Sequence, residues 1–142
     1  MSGIVVHVND FEDAAAQPAE IERAVRDTLE SEGVKDGEFS VSRVDVAAMT
    51  DLNRRYLARE GVTDVIAFQL AEKDTPPLGD VYICDEAARR SAAEYDVPLR
   101  QELLRLVVHG VLHVLGYEHP EGDERAGSEM YRRQEAILAR LA

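Results

Sequence analysis

Three of the four histidines in this 142-residue chain fall within His109-Gly110-Val111-Leu112-His113-Val114-Leu115-Gly116-Tyr117-Glu118-His119. His109 and His113 are four residues apart, so on a helix they project from one face. Gly116 supplies the left-handed turn that ends such a helix, and His119 can then swing back toward the pair. Three imidazoles converging in this way suit a catalytic zinc ion, with three neutral nitrogen donors and a fourth position kept for water. Imidazole donors also suit nickel, iron and copper. Two imidazoles left without partners on the most apolar stretch of the chain would each cost about 1–3 kcal/mol, which argues against incidental histidines. His7 has no partnering pattern around it and reads as structural or surface.

The spacing H-x-x-x-H-x-x-G-x-x-H is that of the metzincin proteases, which place a glutamate directly after the first histidine as general base. Here that position is Gly110. A glycine has no side chain to take a proton, so the ligand cradle is similar while the peptidase base is missing. A structural zinc would want a fourth protein ligand. The sole cysteine, Cys84, is distant in sequence and is not favoured for that place. Asp64 and Asp80 are candidates to orient ligand imidazoles, and equally to cap turns. Met130, set in a helical pattern, reads as packing rather than as a metzincin-type Met-turn.

The elements that must position these groups can be read along the chain. Ile4 to Val8 is a β-branched strand. Pro18 opens a helix with Ile21, Ala24, Val25, Thr28 and Leu29 on one face and Gly33 as its stop. Phe39 to Val41 and Val44 to Val46 alternate in conflicting phase, which predicts a bulge near Ser42-Arg43. Thr50 is the expected N-cap of a short helix through Leu57. Strands are expected over Asp64 to Phe68 and Gly79 to Ile83, separated by a polar turn with Pro76-Pro77. Ala87 to Tyr95 is helical, Pro98 begins the long apolar helix that carries the histidines, and Glu121 to Ala142 reads as a final amphipathic helix. The order of elements, about four strands and about five helices, predicts an α+β fold. No linker or repeat interrupts it, so residues 1–142 read as one domain.

Composition bounds the rest. The chain is 45% hydrophobic and 31% charged with no tryptophan, so its core is mostly aliphatic. No apolar run is long enough to span a membrane, and the first residues lack a basic signal-peptide region. One cysteine closes no internal disulfide, which predicts a reducing, cytoplasmic setting. The formal net charge of -12 argues against a nucleic-acid partner, because phosphate contacts need a basic footprint. A local patch can coexist with that total. Arg54, Arg55 and Arg59, set against Glu60, form the most basic short segment, although helix solvation is their ordinary role, above all for Arg54.

The histidine segment closely resembles the H-G-x-L-H-L-x-G-Y-D-H signature of the YbeY family of bacterial rRNA-maturation endoribonucleases. Leu52-Asn53-Arg54-Arg55-Tyr56, followed by Thr63-Asp64-Val65-Ile66-Ala67-Phe68, resembles that family's L-N-x-x-Y-R and T-D-V-L-S-F segments, and Gly79-Asp80-Val81-Tyr82-Ile83-Cys84 resembles its G-D-I-x-I-S segment. The likeness covers roughly residues 38 to 140. It implies a zinc-dependent, single-strand-specific endoribonuclease acting in maturation of 16S ribosomal RNA at its 3′ end and in ribosome quality control. It implies a small mixed sheet with the metal site in a cleft, and one Zn2+ held by His109, His113 and His119. The implied partners are single-stranded ribosomal RNA, the small ribosomal subunit and its assembly factors, with no DNA and no membrane. Four positions depart from the family pattern: Leu57 stands where an arginine usually lines the cleft, Cys84 replaces serine, Glu118 replaces aspartate and Gln69 replaces proline.

Phosphodiester cleavage needs a nucleophile, neutralisation of charge on the phosphoryl oxygens and a proton for the leaving group. Zinc serves the first two, lowering the pKa of bound water from about 15.7 towards 7 and acting as a Lewis acid. An arginine adds bidentate phosphate contact, with Arg59 the preferred candidate and Arg55 the second. Glu118 is the candidate proton shuttle, or only shapes its turn. Tyr117 stacks on a base or fills the core. Two alternatives stand beside this reading: a metal-dependent hydrolase of a peptide or small molecule, and a non-catalytic, zinc-stabilised ribosome-assembly factor.

Overall fold

The computed structural model describes residues 3–57, 63–117 and 129–141. In chain order the elements are β1 (Gly3–Asn9), α1 (Pro18–Ser31), β2 (Asp36–Val44), α2 (Val46–Leu57), β3 (Val65–Gln69), β4 (Leu78–Cys84), α3 (Asp85–Tyr95), α4 (Leu99–Val114) and α5 (Glu129–Leu141). The strands form one mixed sheet in the order β1-β2-β4-β3, with β3 alone antiparallel to its neighbour. This is the α+β architecture that the sequence predicts. No helix among the described residues is long and apolar enough to cross a membrane.

Local chemistry explains most boundaries. Pro18 begins α1, the Glu20 carboxylate accepts from the Gln17 backbone N–H at 3.1 Å, and the expected apolar face of five residues is buried. Gly33 and Gly116 take φ of +72° and +103°, the left-handed backbone that lets the chain leave α1 and α4. Two expectations fail at the next junction. β2 pairs in unbroken register with β1 as far as Ser42 and with β4 through Ser42, Arg43 and Val44, so no bulge interrupts it. The phase conflict arises because Val46 is the first residue of α2, not a strand residue. Asp45 is the cap, its Oδ1 accepting from the Ala48 N–H at 2.8 Å. Thr50 lies inside α2, where its hydroxyl donates to the Val46 carbonyl at 2.7 Å. The final helix is observed from Glu129, and the earlier part of the expected segment lies outside the described residues.

The core sits between the sheet and α4, with α1, α3 and α5 closing around that helix. The closeness of α4 to β4 depends on two glycines. A Cβ on Gly110 of α4 would lie 2.6 Å from a Val81 methyl of β4, and a Cβ on Gly79 of β4 would lie 2.5 Å from a Val114 methyl of α4. Each surface thus offers one notch and one valine to the other. A smaller cluster of Met49, Ile66, Cys84 and Ala87 covers part of the opposite sheet face under α2. On that second face His7 Nε2 lies 2.9 Å from the Glu38 carboxylate, the surface role expected of it.

Candidate metal centre

α4 brings His109 and His113 together on one flank, half-buried, with ring centroids 4.7 Å apart and planes at 77°. Gly110 faces Val81, so the position that holds the metzincin base is turned into the sheet. His109 Nδ1 lies 2.7 Å from Oε1 of Gln134, a buried residue of α5. Gln134 Nε2 donates to the Glu135 carboxylate at 3.0 Å. Arg105 of α4 donates to both Glu135 oxygens, at 3.0 and 3.2 Å, and to Glu102 at 2.7 Å. A continuous polar chain therefore runs from Glu102 to the imidazole through an otherwise aliphatic interface.

The electrostatics follow from burial. Burial pushes the Glu102 carboxyl above the usual carboxylate range, Arg105 opposes that shift, and the nearby Asp64 charge adds to it. Burial also works against the Arg105 charge, but its bonds to Glu135 and Glu102 more than offset this and raise its pKa.

Of the other candidates, Arg55 is exposed on α2 and pairs with Asp51 one turn earlier, at 3.2 Å. Arg54 is exposed on the same helix. Arg59, Glu118 and His119 lie outside the described residues, and among the described residues no group of three metal-binding side chains is found. Asp80 is corrected as a ligand-orienting candidate. Gly79 and Val81 face α4, so by strand alternation Asp80 points to the opposite face, where it bonds Tyr82. Burial, and then this carboxylate, raise the Tyr82 pKa. Cys84 is buried on that same opposite face, away from the imidazoles. Tyr117 donates to Glu32 at 2.6 Å beneath the Arg133 guanidinium, and Met130 is buried in the core, as its packing role predicts. Gln69 donates to the Val114 carbonyl at 2.9 Å, closing the last turn of the histidine helix.

Gln134, Glu135, Arg105 and Glu102 went unnoticed in the sequence. A signal for two of them exists: Glu102, Arg105, His109 and His113 follow one another at spacings of three, four and four, a polar stripe along the most apolar helix. Nothing local marks Gln134 and Glu135, which only the packing of α5 on α4 brings to the site.

Fold and site together define a small α+β protein with a histidine-lined polar site built into its central helix. The chain belongs to the Endoribonuclease YbeY family, whose sequence profile matches residues 7–142. It is 40% identical to Endoribonuclease YbeY of Parafrankia sp. (strain EAN1pec), over 93% of this chain and 87% of that protein. It is 40% identical to Endoribonuclease YbeY of Bacillus licheniformis, over 86% of this chain and 84% of that one. The fold is similar to the solution structure of TM1509 from Thermotoga maritima, with a TM-score of 0.65 at 24% identity, covering 96% and 89% of the two chains.

Proposed function

We propose that this chain is a metal-dependent endoribonuclease that cleaves single-stranded RNA during ribosome maturation, with zinc as its ion. The RNA-cleaving part rests on family membership, which spans residues 7–142. The metal part rests on one observation: two imidazoles 4.7 Å apart on a helix flank, one already engaged through Nδ1 with a buried amide. That donor set fits a zinc ion. His109 and His113 would hold it together with His119. When bound, the ion supplies Lewis-acid polarisation and an activated water.

The remaining roles belong to the chain's own side chains. Arg59 is proposed to grip the phosphate through paired N–H donors, with Arg55 the second candidate, and Glu118 to pass a proton to the leaving oxygen. The chain acts as one domain, in the cytoplasm, on ribosomal RNA rather than DNA. Its partners are the small subunit and assembly factors, with no membrane attachment. A peptidase reading has less support, because Gly110 points at Val81 and a side chain there would enter the sheet rather than the site.

The test is elemental analysis of the purified protein, then cleavage of single-stranded RNA and of casein with and without chelator. Stoichiometric zinc with chelator-sensitive RNA cleavage is expected. Full cleavage without bound metal, or casein cleavage alone, overturns the proposal. A cobalt-substituted sample whose absorption spectrum reports four protein ligands would favour a purely structural metal.

A further inference from the structure

We infer that Gln134 is the positioning residue of His109: it fixes which ring nitrogen carries the proton and thereby turns Nε2 toward the metal. The inference rests on the reading of His109 as a ligand and deepens it. Its logic is one of donors and acceptors. Glu135 meets an Arg105 N–H with each of its two oxygens, so both act there as acceptors. The Gln134 group that meets Glu135 must then be its NH2 donor, at 3.0 Å. The Gln134 atom 2.7 Å from His109 is therefore the carbonyl oxygen, an acceptor. An acceptor facing Nδ1 requires Nδ1–H, and in the neutral ring this leaves the lone pair on Nε2.

Reversing the amide would set its NH2 against Nδ1 and its oxygen against a carboxylate, so the orientation has one low-energy state. Arg105 thus acts at two removes. It locks Glu135, Glu135 locks the amide, and the amide locks the imidazole. Because Gln134 is 5% exposed, water offers no substitute for a lost partner. Fixing a ligand imidazole through its other nitrogen is worth about 10–100-fold in metal affinity.

The first test is long-range proton–nitrogen NMR of the metal-free full chain. His109 is expected in the Nδ1–H form, and a ring found mainly as Nε2–H overturns the inference whatever the metal content. The second is zinc competition against a chromophoric chelator. Gln134→Leu is expected to weaken binding about 10–100-fold. Gln134→Glu, whose carboxyl shares a proton with its Glu135 neighbour and so sets a carbonyl oxygen against Nδ1 and an O–H donor against Glu135, is expected to weaken it less and to retain the tautomer. Equal losses in both folded variants, or none in Gln134→Leu, overturn the inference. Should Gln134→Leu fail to fold by circular dichroism, the wild-type tautomer decides. Absence of zinc binding by wild type refutes the metal reading instead, and the NMR result distinguishes the two failures.

Discussion

Replacing Gly110 with alanine should destabilise the protein by about 1 kcal/mol, against the usual benefit of alanine in a helix. The added Cβ would lie 2.6 and 3.1 Å from the two Val81 methyls and 3.4 Å from the Val81 Cβ. Both methyls and their parent carbon face the helix, so turning the valine about χ1 exchanges one obstruction for another. Val81 is fully buried in β4, which is hydrogen-bonded to β2 on one side and β3 on the other, so the strand cannot retreat. Overpacking of this kind costs about 1–3 kcal/mol, and the gain in helix propensity returns about 0.8–1 kcal/mol. Urea denaturation at unchanged m should show a lowered midpoint, and Tm should fall by roughly 2–8 °C. A double-mutant cycle isolates the cause: in a Val81→Ala background the same glycine substitution should cost little or become favourable, a coupling of at least about 1 kcal/mol. A Gly110→Ala variant as stable as wild type, or full additivity with Val81→Ala, refutes the reasoning. By the same geometry Gly110→Glu, which restores the metzincin sequence, presses a carboxylate into the sheet and confers no peptidase activity.

Further expectations follow from the site and its supports. His113→Ala should abolish stoichiometric zinc and RNA cleavage together, read by elemental analysis and a single-stranded RNA assay, and cleavage that survives metal loss contradicts the metal role. Arg59→Ala should lower cleavage at unchanged metal content, whereas the same phenotype from Arg55→Ala alone would move the phosphate contact four residues earlier. Gln69→Leu removes the donor to the Val114 carbonyl and should cost about 0.5–1.5 kcal/mol by chemical denaturation. Glu20 is held below its ordinary pKa of 4.5, first by the Gln17 backbone N–H and also by Arg100, against a smaller opposing effect of burial. A lowered folded-state pKa contributes stability above 4.5 that is lost as pH falls through the folded value. Glu20→Ala should therefore weaken the fold at pH 7, and its deficit should shrink on acidification. A deficit constant with pH would contradict this.

What was legible followed strong periodicity. The buried stripe of α1, the strands around Phe68 and Val81 and the turn at Gly116 could be read because pattern and local chemistry agreed there. The β2–α2 junction was misread because two competing signals favoured the wrong answer. Val44 and Val46 have high strand propensity, yet Asp45 between them offers a cap that starts a helix at once. Thr50 is equally suited to cap a helix or to bond back inside one, and only its 2.7 Å bond to Val46 decides. His109 and His113 were visible from spacing alone, whereas Gln134 and Glu135 lie on a separate helix and carry no local mark. Asp80 was assigned by its strand position, and strand alternation, fixed by which residues touch α4, placed it on the far side.

The paired notches of Gly110 and Gly79 act as an indexing pin. A slip of α4 by one turn along the strand, about 5.4 Å, would drive Val81 and Val114 against positions that have no recess to receive them. The helix therefore has a single axial setting, and rotating it is resisted in the same way. The rod that bears His109 and His113 is thus held at one height and one angle against the sheet.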